Sequence, residues 1–83
     1  MTHLARTPRQ IGAIVRRLRK KQQLTQTELG ARTHLRQATI SALENGEPGT
    51  QIKTLTDVLT ALDLEIVIQE RSQASADIAD IFS

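Results

Sequence analysis

Start and stop signals for helices recur along this chain at intervals too short for any long helix. Thr7-Pro8-Arg9-Gln10 combines a Thr N-cap, Pro at the first helical position and Gln at the third. Thr25-Gln26-Thr27-Glu28 is a second capping box, Asn45-Gly46 is a stop or turn signal, and Thr50 can cap a further helix. A chain cut up in this way can only bury apolar surface by packing several short helices together.

The hydrophobic spacing agrees. A first helix is predicted from Pro8 to about Gln22, with Ile11, Ile14, Val15 and Leu18 at i, i+3, i+4 and i+7, while Arg16, Arg17, Arg19, Lys20 and Lys21 fall off that stripe as solvated charge. A second runs from Gln26 to about Arg32 with Leu29 inward, and a third from Gln37 to Asn45 carries Ile40 and Leu43. Gly46 to Gly49, with Pro48, is a loop. A fourth helix, capped by Thr50 and ending near Asp63, has Ile52, Leu55, Leu59 and Leu62 in helical period, with Val58 alongside.

The period then changes. Leu64, Ile66 and Ile68 alternate with Glu65, Val67 and Gln69, and Ile66-Val67-Ile68 is β-branched, so 64–69 reads as a strand. No other segment reads as one, and a lone strand leaves its backbone groups unpaired. The partner this implies is a second copy, strand against strand across a two-fold axis, with Leu64, Ile66, Val67 and Ile68 as the dimerisation residues. The alternatives are that 64–69 prolongs the fourth helix or is irregular.

Composition bounds the rest. The chain is 83 residues long, one small domain, and Leu, Ile, Val and Phe make up 22 of them, enough for a core. Without cysteine neither disulfides nor thiolate metal sites can supplement a core of this size, which again favours a second copy. No apolar run approaches a membrane span and Met1 to Arg9 does not resemble a signal peptide, so a cytoplasmic, nucleoid-associated location is expected. Residues 1–53 hold 10 Lys and Arg against 3 Asp and Glu, whereas 54–83 hold 1 against 6. A basic body of this kind suits a polyanion, nucleic acid above all, although charge alone is equally compatible with a solvated surface.

Catalysis has little support. The histidines, His3 and His34, have no evident partner and no second metal ligand. Asp77 and Asp80 stand three apart in what reads as a solvated acidic tail, and the glycines form no phosphate loop. No enzyme activity, cofactor or metal is expected.

Two short capped helices, Gln26 to Arg32 and Gln37 to Asn45, separated by a tight turn, are the arrangement that presents a second helix to the DNA major groove. Gly30 is small where the two helices cross, and Ile40 fits the apolar anchor of the second. On the runs Leu24-Thr25-Gln26-Thr27-Glu28-Leu29 and Gln37-Ala38-Thr39-Ile40-Ser41-Ala42-Leu43-Glu44-Asn45-Gly46, residues 8–63 resemble the phage-repressor (Cro, Xre) type of helix-turn-helix protein. Five helices are usual in that family; here a strand follows the fourth. That strand, the Gln-Ala-Thr-Ile-Ser helix start and the short tail most resemble HipB-type antitoxins, which repress their own operon and bind a HipA-type kinase toxin. His34 stands where the family usually has a glycine of positive φ, a conformation His adopts more readily than most residues, at some cost.

The implied chemistry is base reading. Gln37 can pair bidentately with adenine, Arg36 can fork onto guanine, and Ala38 or the Thr39 methyl can touch a thymine methyl. Ser41, four residues after Gln37, shares its face; Thr39 has the alternative of capping or packing locally. By resemblance, Gln26 holds a phosphate. Arg9, Arg16, Arg17 and Lys53 are weaker phosphate candidates.

The expected architecture is therefore mainly α: a four-helix phage-repressor-like helix-turn-helix domain followed by one β-strand that pairs across a dimer. Residues 1–7 form an N-terminal arm, 8–69 the DNA-binding and dimerisation domain, and 70–83 a flexible tail. Within the tail, Ile81 and Phe82 are candidates for binding a partner through its pocket. The expected function is a homodimeric repressor of operator DNA, the antitoxin of a HipBA-like module with a HipA-like kinase toxin as partner. A free-standing repressor, or an adaptor without DNA binding, stand as the alternatives.

Overall fold

The structure, a computed structural model, describes residues 3–70. It contains four helices: α1 (Pro8–Lys21), α2 (Gln26–Thr33), α3 (Gln37–Glu44) and α4 (Ile52–Ala61). The Thr7 and Thr25 hydroxyls cap α1 and α2 as the sequence predicts, but the first capping box is only half formed, because Gln10 Oε1 accepts from the Arg6 N–H and not from that of Thr7. Thr7 accepts the Gln10 backbone N–H at 3.1 Å, and Thr25 and Glu28 exchange both bonds of a capping box. The expected cap of α4 does not form: Gln51 precedes α4, and the Thr50 hydroxyl instead donates to the Glu47 carbonyl within its own loop.

All four helices stop by a left-handed residue, at Gln23, His34, Gly46 and Asp63. After three of these stops the same pair of bonds closes the last turn, as at α1, where Gln23 N–H donates to Lys20 and Leu24 N–H to Arg19. At α4, Asp63 N–H reaches Thr60 and Leu64 N–H reaches Leu59 at 2.7 Å. The Gln22 side chain then donates to the Leu62 carbonyl at 2.7 Å, joining the end of α1 to the end of α4.

Val15, Leu24, Leu29, Ile40, Leu43, Val58 and Leu62 form the core, with Ile11, Leu35, Leu55, Leu59, Ala61 and Leu64 at its edge. α3 packs on both α1 and α2, and α2 packs on α4. The inward line of α1 differs from the expected aliphatic stripe: its buried residues are Gly12, Val15 and Arg19, while Ile14 and Leu18 are half-buried. Gly12 explains the shift, because a Cβ there would lie against the α3 carbonyls of Leu43 and Glu44, 2.6 Å from the latter. The missing side chain lets the two backbones meet. Gly30 likewise leaves room for a backbone, but that of Leu35 in the turn. Ile52, expected inward, is 76% exposed in the first turn of α4.

Residues 64–70 form no strand, and no strand occurs among the described residues. The fold is thus helical, and the expected strand needs correction for the single chain. Leu64 belongs to the stop of α4 and packs on the core, while Ile66, Val67 and Ile68 are exposed and form no backbone hydrogen bond among the described residues. A ladder whose other half is a second copy cannot form within one chain. The tail residues Ile81 and Phe82 lie outside the described residues.

Candidate nucleic-acid interface

The turn between α2 and α3 is only His34, Leu35 and Arg36. His34 sits at φ 58°, ψ 32°, the left-handed conformation its position requires, and Leu35 N–H donates to the Gly30 carbonyl at 2.9 Å. Thr33 also turns its hydroxyl back onto the Leu29 and Gly30 carbonyls. With its carbonyls so occupied α2 ends, and Leu35 returns to the core edge.

Arg36 is the N-cap of α3, without a side-chain cap bond, and Gln37 and Ala38 open the helix. All three are exposed. Thr39 and Ser41 are half-buried, whereas Ile40 is fully buried and pins the helix from below. Asn45 Nδ2 lies 3.5 Å from Ser41 Oγ, so Gln37, Ser41 and Asn45 follow one another along the same side of α3.

Gln26 and Gln37 are brought together: Gln37 Nε2 donates to Gln26 Oε1 at 2.5 Å, and Gln26 Nε2 donates to Glu44 Oε1 at 3.1 Å. Glu44 is itself held by Arg19, whose Nε and Nη2 donate to its two oxygens at 2.6 and 2.9 Å. Arg19 Nη1 caps the Leu24 carbonyl at 2.6 Å. Both charged residues are only 6% exposed, and among the described residues no buried side-chain nitrogen or oxygen lacks a partner. The bidentate bonds to Glu44 raise the pKa of Arg19 further above its already high value.

Sequence reasoning missed this pair, treating Arg19 as solvated charge. A signal was present: Arg19 follows Val15 by four residues and Glu44 follows Ile40 by four, so each lies one helical turn beyond a core aliphatic. Lys53, a phosphate candidate, is instead paired with Asp57 at 2.8 Å on the surface of α4. Arg9, Arg16 and Arg17 are exposed on α1. No group of three or more potential metal ligands occurs among the described residues. Nor is any described helix long and apolar enough to cross a membrane.

A helix-turn-helix family model matches residues 15–68, covering all of α2, the turn and α3. The chain belongs to the Xre-type helix-turn-helix family. Among relatives of this helix-turn-helix chain, the antitoxin HigA2 of Mycobacterium tuberculosis is 39% identical over 71 residues, spanning 83% of this chain and 70% of that protein. Antitoxin HipB of Escherichia coli O6:H1 is 30% identical over 74 residues, spanning 89% and 79% respectively. A solved HipA-HipB-O2-O3 complex contains a chain that superposes with a TM-score of 0.79 at 27% identity, covering 84% of this chain and 99% of that one.

Proposed function

We propose that this chain is a sequence-specific DNA-binding repressor acting as a homodimer, the antitoxin of a toxin-antitoxin module that regulates its own operon. The observation that carries the reading is the exposed start of α3. Arg36, Gln37 and Ala38 stand clear of the fold, while the Gln37 amide is oriented by Gln26. One Gln37 N–H is committed to Gln26, which leaves the other N–H and the carbonyl oxygen for N7 and N6 of an adenine. Arg36 serves an adjacent guanine, Ala38 and Thr39 a thymine methyl, and Ser41 a base or phosphate further along the groove. Gln26 takes a phosphate at the start of α2 while it steadies Gln37.

The domain of residues 8–69 carries both DNA binding and dimerisation, the latter through Leu64, Ile66, Val67 and Ile68. Residues 1–7 serve as an arm and 70–83 as a tail that engages the toxin through Ile81 and Phe82. The similarity to HipB, solved in complex with HipA, supports a HipA-type kinase as that toxin. A second reading is favoured by the higher identity to antitoxin HigA2: the same repressor paired with a toxin of another kind.

Binding-site selection from a random duplex library, followed by footprinting, tests the repressor. Gln37→Ala is expected to lose about 1 to 3 kcal/mol per half-site and to relax preference at one base pair. An unchanged footprint and preference would remove Gln37 from the reading helix. Co-purification with the product of the adjoining gene decides between the two toxins.

A further inference from the structure

Arg9, Ala13, Arg16, Arg17 and Lys20 recur at i, i+4, i+7, i+8 and i+11, one continuous stripe on the solvent side of α1, away from Gly12, Val15 and Arg19. With Glu44, Asn45 and Gly46 at the end of α3 they line an open groove of about 560 Å³. All four cations are exposed, and none has a carboxylate within ion-pair distance among the described residues. Glu44 is the sole acid in the wall, and its oxygens are already held by Arg19 and Gln26. Four like charges along one groove repel one another, and a ligand carrying a row of negative charges relieves that repulsion. Ala13, small and central, leaves the floor open.

The opposite wall shows where such a ligand comes from. Asn45 lines the groove and also ends the series Gln37, Ser41, Asn45 on α3. The groove is therefore a continuation of the face that presents Gln37. At about 1.5 Å per residue the stripe from Arg9 to Lys20 extends some 16 Å, long enough to follow several phosphates of one strand.

We propose that this groove holds the phosphate backbone of the same duplex whose bases face Gln37, with Arg16 and Lys20 as its principal anchors and Arg9 and Arg17 beside them. The proposal rests on the DNA-binding reading above. It adds a sequence-independent contact surface that supplies affinity and orientation without base discrimination.

The test compares the wild type with Arg16→Gln/Lys20→Gln, both exposed positions, on a library-selected duplex and on an unrelated duplex of equal length, each across a salt series. Loss of two phosphate contacts is expected to flatten the slope of log K against log salt by about 1.8, at roughly 0.9 per contact, and to weaken both duplexes by a similar factor. The preference for the selected duplex is expected to persist. A selected duplex bound with wild-type affinity and salt slope by the double variant would overturn the groove while leaving the repressor intact. A wild type that selects no sequence would overturn the repressor reading, and the groove proposal with it. Unaltered DNA binding by the variant together with lost capture of an acidic protein would assign the groove to that protein and reject the phosphate backbone.

Discussion

Arg19 and Glu44, 25 residues apart in the chain, form a bidentate ion pair that closes the junction of α1 with α3, only two residues before the loop to α4 begins at Gly46. Arg19 also ties down the connection between α1 and α2 by donating to the Leu24 carbonyl, and Glu44 accepts from Gln26, which in turn accepts from Gln37. One buried carboxylate thereby links the packing of the domain to the face that reads DNA in the function proposed above.

Removing one member of such a pair leaves a buried charge without compensation. Glu44→Ala is expected to destabilise the fold by about 3 to 5 kcal/mol, a large part of what a domain of this size possesses. Replacing both, as Arg19→Met with Glu44→Leu, is expected to recover most of that loss, because the cost lies in the orphaned charge rather than in the missing attraction. Urea unfolding of the three proteins checks it; a double variant as unstable as Glu44→Ala would show that the pair itself supplies the stability.

His34 occupies the left-handed region with a full side chain. That conformation costs a non-glycine residue roughly 1 to 2 kcal/mol, and glycine gives back about 0.5 to 1 in chain entropy. His34→Gly is thus expected to stabilise by about 0.5 to 1 kcal/mol, raising Tm by a few degrees. His34→Val, β-branched at the same φ, is expected to lower it. Calorimetry of the two variants gives the sign of each change.

The capping box of α2 predicts a pH response. The Thr25 backbone N–H bonded to Glu28 is the main cause that lowers its carboxyl below the ordinary 4.5, with the Thr25 hydroxyl and the charge of Arg32 helping. A carboxylate favoured by the fold adds stability above its unfolded pKa, and this is lost as pH falls through the lower folded value. The difference in Tm between wild type and Glu28→Ala is expected to be present at neutral pH and to shrink below about pH 4. A difference independent of pH down to that range would mean that the charge of Glu28 does not contribute.

Much of this fold is legible from short-range chemistry. Thr25 and Glu28 act across three residues, so α2 begins where the sequence places it; the turn at His34 depends on one dihedral pair and on Leu35 returning to the core. What was hidden depends on approach between distant segments. Gly12 reveals its role only once α3 lies against it, and Arg19 looks solvated until Glu44 faces it. Ile52 keeps the helical period yet starts α4 outside the core, since a period fixes a face and not where along it the burial begins. Leu64 shows local competition: an alternating pattern suggested a strand, and the stop of α4 claimed its first residue. In the proposed interface, the exposed positions Arg36, Gln37 and Ala38 followed from the helix start, whereas the link from Gln26 to Glu44 required the packed structure.

Ile66, Val67 and Ile68 are 50%, 70% and 93% exposed, three consecutive β-branched residues on the surface of a small domain. Their backbone takes no hydrogen-bond partner among the described residues. Both costs are reduced if a second copy lays the same segment alongside, antiparallel across a two-fold axis, since each strand then pairs the donors and acceptors that face the other. Val67→Pro removes one donor and cannot be accommodated in a paired strand, while Val67 lies outside the packed core and its loss leaves the four helices in place. The variant is expected to sediment as a folded monomer with wild-type helical circular dichroism where the wild type sediments as a dimer. Its operator affinity is expected to fall steeply, because two half-sites are no longer held at a fixed spacing. A wild-type chain that remains a folded monomer at micromolar concentration, or a Val67→Pro variant that still dimerises, would place the two-fold contact elsewhere on the surface.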